Sequence, residues 1–308
     1  MLFTKTSLGV EINPSGVAFA LLGGTAVAPR LERVASASFA AGTVRCSLRE
    51  PNIHDTQAFI DRFQGAHNLL LHRSKRLSLT LPDSVGRVTL LDMEGRFKNR
   101  EEGLDMIRWK LKKNVPFETA DTHLDYQVLS IRENGEMALL VAMVSRAVIG
   151  QYEEVLTAAG FAPARIDFNS FNLYRVFDPR LTLLEDSIFV FYYNNSLGIM
   201  AYYNGVPEFM RVKELSGIHA VDDRVFMEIN NSLLVYRERF SGRHTANVFC
   251  MAPSHVASTF CGMVAESAGT DATLLEAKTF VTPGEEAPGD QESLFPFSAA
   301  IGAALRSL

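Results

Sequence analysis

The sequence predicts an α/β protein of two lobes, with a small α+β module inserted in the first lobe. Three observations lead there. Each half of the 308 residues opens with three short apolar runs separated by turn residues, then a helix-length segment and another strand. A stretch of about sixty residues with its own pattern interrupts the first half. The chain is also too long for one ordinary domain and comfortable for two.

In the first lobe, Leu8 to Ile12 ends at the turn Asn13-Pro14-Ser15-Gly16, Val17 to Leu22 ends at Gly23-Gly24, and Leu31 to Phe39 completes a meander. Short β-rich runs punctuated by turn formers are the usual hairpin signal. Asp55 to Phe63 has helical spacing, with Phe59, Ile60 and Phe63 on one side. Arg76 to Leu81 alternates and stops at Pro82. Later come a helix over Val148 to Ala159, stopped by Gly160 and Pro163, and a strand over Arg165 to Phe168.

Inside the interruption, Asn99 with Glu102 forms a helix-capping pair. Leu104, Ile107 and Leu111 make its buried stripe, and Lys110, Lys112 and Lys113 suit its negative C-terminal end. Val115-Pro116-Phe117 ends the helix, because a residue before proline avoids the α region. Leu124 to Ile131 and Met137 to Val144 then flank an Asn134-Gly135 turn.

The second lobe repeats the first in element order. Ile188 to Tyr193, Leu197 to Tyr203 and Val206 to Val212 form a meander around Asn194-Asn195-Ser196 and Asn204-Gly205. Val221 to Phe240 is amphipathic, Asn247 to Met251 a strand, His255 to Ser267 a helix and Ala272 to Phe280 a strand. Thr282 to Ser293 reads as an acidic loop, and Phe295 to Leu308 as a small-residue helix packed on the first lobe. The expected divisions are 1–82 and 146–185 for the first lobe, 83–145 for the module, 186–294 for the second lobe and 295–308 for the returning helix.

Composition excludes several functions. With 47% hydrophobic and 21% charged residues, this is a globular composition, and a net charge of −5 opposes general nucleic-acid binding. No run reaches the roughly 18–20 apolar residues that span a bilayer, and the start lacks a signal-peptide pattern. Cys46, Cys250 and Cys261 show no CxxC spacing and read as reduced cysteines of a cytosolic protein. The seven histidines are scattered without HExxH or Cys/His pairing, so no metal site is expected. The cations Arg96, Lys98, Arg100, Arg108, Lys110, Lys112 and Lys113 read as a solvated face, with anionic lipid or an acidic partner as the alternative.

Two lobes that each open with a meander resemble the actin/Hsp70/sugar-kinase superfamily. Ile107-Arg108-Trp109, Asn114-Val115-Pro116-Phe117 and Leu124-Asp125-Tyr126-Gln127-Val128-Leu129 narrow the likeness to the PilM family of type IV pilus assembly proteins. LGVEINPSGV, LLVAMVSRAVIGQYEEVLTAAGF and AIGAALR fit the same family. The resemblance implies an actin-like, FtsA-like fold shared with the cytoplasmic domain of type II secretion GspL and with mannose-sensitive pilus proteins. It also implies a cytoplasmic protein, peripheral to the inner membrane, that binds the cytoplasmic tail of a PilN-like partner. Contact with the motor ATPase and homodimerisation stay open as alternatives. Val115, Pro116 and Phe117 are the expected apolar lining of the partner groove, with capping of the module's own core as the alternative.

That superfamily holds ATP with Mg²⁺ on glycine-rich turns, where backbone N–H groups approach phosphate. Here the first turn reads Glu11-Ile12-Asn13-Pro14-Ser15, so Asn13 replaces a glycine and Pro14 removes a donor. Phe191-Tyr192-Tyr193, leading into Asn194-Asn195-Ser196, stands at the second turn. Ala252-Pro253-Ser254 stands where a glycine triplet belongs. Glu11, Asn13, Ser15, Asn194, Asn195, Ser196, Ala252 and Ser254 are therefore the expected remnants of a nucleotide site. No catalytic residue and no cofactor are expected, and ATP with Mg²⁺ is the one cofactor the resemblance would admit. The reading is a non-catalytic pilus or secretion scaffold. Its alternatives are an ATP-binding member whose nucleotide state modulates partner binding, and a filament former.

Overall fold

The computed structural model describes residues 6–113, 115, 118–215, 221–243 and 247–308. In the first lobe β1 (Ser7–Asn13), β2 (Gly16–Gly24) and β3 (Pro29–Ser38) form the antiparallel meander. After α1 (Thr56–Leu69), β4 (Arg76–Leu81) pairs parallel to β1. Asp55 caps α1 by accepting from the Ala58 N–H at 2.9 Å.

The interruption contributes β5 (Gly86–Met93), α2 (Arg100–Leu111), β6 (Thr122–Ile131) and β7 (Met137–Ser145), the strands in the order β5-β7-β6. The capping pair forms as expected: Asn99 Oδ1 accepts from the Glu102 N–H at 2.9 Å, while Glu102 reaches back to the Lys98 N–H. Of the expected stripe, Ile107 and Leu111 are buried and Leu104 half-buried against this sheet. α3 (Arg146–Ala158), β8 (Ala162–Phe168) and α4 (Asn169–Leu181) return to the first lobe, where β8 extends the sheet beside β4.

β9 (Ser187–Tyr193), β10 (Ser196–Tyr203) and β11 (Val206–Glu214) open the second lobe, followed by α5 (Asp223–Arg239), β12 (Val248–Met251), α6 (Ala257–Ala268) and β13 (Ala272–Leu274). The expected strand over 272–280 is thus only three residues long. Its remainder includes a 3-10 turn at Ala277–Thr279. Within the expected acidic loop, β14 (Thr282–Pro283) crosses back to pair with β3, and α7 (Gln291–Leu294) forms a single turn. A 3-10 turn at Phe295–Phe297 precedes α8 (Ser298–Leu305), so the final helix starts later than the spacing suggests.

The repeat seen in the sequence is a repeat of topology. One sheet runs β14-β3-β2-β1-β4-β8 and the other β11-β10-β9-β12-β13, each with an antiparallel meander and two parallel strands beside its first strand, the first sheet adding β14 parallel to β3. The molecule is layered accordingly. Phe59 and Phe63 of α1 and Val148 and Tyr152 of α3 cover one face of the first sheet. Leu173, Val176 and Phe177 of α4 and Ala299, Ala300 and Ile301 of α8 lie between the two sheets. Ile229 and Leu233 of α5 and Phe260 and Val264 of α6 close the far side.

Strand alternation explains the aromatic run IFVFYY, which is buried throughout β9. Ile188, Val190 and Tyr192 face α5 and α6, while Phe189, Phe191 and Tyr193 face the shared helical layer. α8 needs its small residues because it lies backbone-close to its neighbours. A Cβ on Gly9 would fall 1.9 Å from the Ala300 carbonyl, and one on Gly302 would fall 1.9 Å from the Asn172 carbonyl. No helix among the described residues is long and apolar enough to cross a membrane.

Candidate functional site

At the head of the interlobe layer, the ends of β1, β4 and β9 and the start of α4 converge. Glu11 lies there with no exposed surface. Its Oε1 accepts from Asn194 Nδ2 at 2.7 Å, Asn169 Nδ2 at 2.9 Å and Asn13 Nδ2 at 3.4 Å. Asn169 is held in that orientation by Thr80, whose hydroxyl donates to Asn169 Oδ1 at 2.8 Å. Glu11 Oε2 lies 2.6 Å from the Tyr193 hydroxyl oxygen, which is also 3.0 Å from the Pro296 carbonyl.

That hydroxyl has one hydrogen for two oxygens. Burial pushes the Glu11 carboxyl up from its ordinary value, against the lowering effect of its hydrogen-bond donors. With Glu11 ionised the hydroxyl donates to Oε2; were Glu11 protonated, Oε2–H would donate to Tyr193, Tyr193 to Pro296, and Oε1 would accept the amides. Burial likewise pushes the Tyr193 phenol far above its usual range, so it keeps its hydrogen. One carboxyl therefore joins the first sheet, α4, the second sheet and the approach to α8.

The hairpin after Glu11 is closed on itself. Asn13 Oδ1 accepts from the Ser15 N–H at 2.8 Å and the Gly16 N–H at 3.1 Å, and Pro14 has no N–H. The opposite hairpin uses Asn194 (φ 46°) and Asn195 (φ 57°), both left-handed, the geometry of a two-residue turn between twisted strands.

Between the two hairpins is a cavity of about 290 Å³. Its wall contains Asn13, Ser15, Asn194, Asn195 and Ser196, so the structure brings five of the eight expected residues together around it, with Glu11 buried alongside. Ala252 is instead part of the second-lobe core, and Ser254 lies in the exposed turn before α6; neither lines the cavity. The Ala257 N–H bonds to the Ser254 carbonyl at 3.4 Å, which directs that turn into the helix.

Asp83, Asn169 and Tyr193 are not among the residues expected at this site. Asp83, immediately after β4, accepts from the Ser170 N–H at 3.0 Å and from the Ser170 hydroxyl. Burial raises its carboxyl to about 6. Cys46 also lines the wall, its thiol pushed up to about 11 by burial. Among the described residues the lining holds two acids, Asp83 and Glu214, and no lysine or arginine. The signal for α4 was the polar pair Asn169-Ser170 following a buried strand end.

A second concave region lies between the inserted module and the first lobe. β6 is an edge strand of the module sheet, and β8 is an edge strand of the first sheet. Adjoining cavities of about 330 and 410 Å³ lie between them, sharing Asp125, Ala142, Asp167 and Phe171. Arg306 Nη1 is 2.6 Å from Asp167 Oδ2, and Arg100 pairs with Asp125. Arg175 Nε is buried with no hydrogen-bond partner among the described residues, and burial pulls the guanidinium below its ordinary value. Val115, expected in a partner groove, is half-buried against the module core and lines a separate cavity with Arg49, Lys112 and Arg146. Pro116 and Phe117 lie outside the described residues.

No protein-family model matches the sequence, and no curated protein matches it. Among solved structures, a chain of the PilM-PilN type IV pilus biogenesis complex superposes with a TM-score of 0.80 at 18% identity. The alignment covers 97% of this chain and 98% of that one. The fold is the two-lobed actin-like one. The cytoplasmic domain of EpsL, an inner membrane component of the type II secretion system of Vibrio cholerae, has the same actin-like body at a TM-score of 0.54 and 13% identity. There 99% of this chain and 96% of that chain are covered. The likeness extends over the inserted module as well as the lobes.

Proposed function

We propose that this chain is a non-catalytic actin-like scaffold of a type IV pilus or related secretion machine. It stands at the cytoplasmic side of the inner membrane and holds the tail of a PilN-like membrane protein there. The observation that carries the reading is the whole-chain likeness, inserted module included, to a chain from a PilM-PilN complex.

The tail docks, in this reading, between β6 and β8. Two edge strands offer unpaired backbone groups to an extended segment, and alternate side chains enter the flanking cavities. The buried Nε of Arg175 supplies a donor that the fold itself leaves unsatisfied. Pull-down with synthetic N-terminal tails of inner-membrane pilus proteins tests this. Ala142→Trp, which fills the space shared by both cavities, is expected to abolish capture with unchanged circular dichroism. Undiminished capture removes the groove assignment.

The absence of nucleotide chemistry in this reading is supported by the central cavity. Phosphate cradles need free amides and cations, whereas Ser15 and Gly16 donate to Asn13 and the charged residues of the lining, among those described, are both acids. Glu11 and Asp83, the carboxyls placed to orient Mg²⁺, are engaged by internal donors. Titration calorimetry with Mg-ATP is expected to give no binding heat; micromolar binding would restore the ATP-responsive alternative.

A further inference from the structure

We infer that Cys250 and Cys261 are a redox pair that closes to a disulfide under peroxide, tying β12 to α6 within the second lobe. The two Sγ atoms are 2.8 Å apart, although the residues come from different elements and are eleven positions apart in sequence. Cys250 is in the middle of β12, fully buried, its side chain in the core shared with α6. Cys261 lies on the flank of the helix's buried stripe (Ala257, Phe260, Val264), half-exposed, with its Sγ 3.2 Å from the Ala272 carbonyl at the start of β13. Bond formation at about 2.05 Å requires the two sulfurs to approach by well under 1 Å, a motion within reach of side-chain rotation.

The asymmetry of exposure sets the order of the chemistry. Peroxide reaches Cys261 first: its sulfur is oxidised to a sulfenic acid while one peroxide oxygen leaves as water. The Cys250 sulfur then attacks the Cys261 sulfur, forming the S–S bond and releasing the sulfenic hydroxyl, with the Cys250 proton, as a second water. One peroxide is reduced by two electrons and one cystine is formed. Burial pushes the Cys250 thiol well above its ordinary range, so it is not the thiol that meets peroxide first; its resolving role rests on its contact with the Cys261 sulfur. Cys46, the remaining thiol, lines the interlobe cavity and takes no part.

The cross-link closes the short segment that carries Ala252-Pro253-Ser254, so oxidation restrains the turn that joins strand to helix. Short-loop cross-links stabilise mainly by restricting the unfolded chain. For a chain of this length the expected gain is a Tm rise of roughly 3–5 °C.

The test uses the full chain treated with hydrogen peroxide, followed by intact mass and peptide mapping. The expected result is a loss of two hydrogen masses, a linked Cys250–Cys261 peptide, and thiols falling from three to one. Dithiothreitol should restore all three, and Cys46→Ser should leave the linkage intact. Cys261→Ser should abolish both the mass loss and the Tm rise. Three free thiols after treatment, a sulfinic acid at Cys261 without a linked peptide, or linkage only between molecules would each overturn the inference. Because the decisive measurement is made on the unaltered protein, it does not depend on how well a serine is tolerated at the buried position.

Discussion

Replacing Glu11 by glutamine and by alanine separates a neutral latch from a buried anion. In Glu11→Gln the amide oxygen keeps the Asn169 and Asn194 bonds (2.9 and 2.7 Å), and the new N–H₂ donates to Tyr193, which still donates to Pro296. The expected cost is within about 1 kcal/mol. Glu11→Ala leaves the buried Asn169 amide without its acceptor, worth about 1–3 kcal/mol, frees the exposed Asn194 amide to water, and opens a small cavity. It should cost about 2–4 kcal/mol, read from urea midpoints at constant m. The pH trend supplies a second arm. A carboxyl raised above 4.5 on folding contributes stability that is complete below that value and lost as pH rises through the folded value. Acidification from neutrality should therefore favour the wild type relative to Glu11→Gln. Glutamine as damaging as alanine, or the opposite pH trend, would refute the neutral carboxyl.

Three further outcomes follow from the same geometry. Asp83, raised from 3.8 to about 6, makes the protein lose stability between about pH 4 and 6. Asp83→Asn should flatten that window by about 1–2 kcal/mol in pH-dependent denaturation, the cavity side of the carboxyl limiting the effect. Gly302→Ala places a methyl against the Asn172 backbone and should cost at least about 3 kcal/mol by thermal melting, whereas Gly262→Ala, with open space around it, should be neutral or stabilising. If the tail docks as proposed, Arg175→Leu should weaken its capture about tenfold while the melting temperature falls only slightly, since Nε has no hydrogen-bond partner among the described residues and only the attraction to Asp167 and Asp178 is lost.

Much of the fold was legible because turn chemistry punctuates it. Asn13-Pro14-Ser15-Gly16 and Asn204-Gly205 mark the meanders, and Pro82 ends β4 where the pattern stops. β5 escaped because most of its residues are only half-buried, leaving no alternation to read. α4 escaped because it is enclosed by both lobes and uses Asn169, Ser170 and Asn172 for tertiary bonds, while Pro179 sits inside it. Its apolar stripe Leu173, Val176, Phe177 and Leu181 does have helical spacing, but the polar first turn and Pro179 interrupt the pattern at both ends. The first two site turns were legible for the same reason as the hairpins. The third was not, since Ala252 and Ser254 owe their positions to core packing and helix entry. Asn169 and Asp83 join the site only through contacts more than eighty positions apart in sequence.

The Glu11 clasp also constrains where this molecule can go by small evolutionary steps. Freeing that carboxyl to face an outside ion would strand amides from three separate segments at once, so the body would weaken before any new chemistry appeared. A lineage in this condition is held by its own architecture: turning Glu11 outward requires several coordinated replacements, while altering an exposed edge strand such as β6 requires only one at a time.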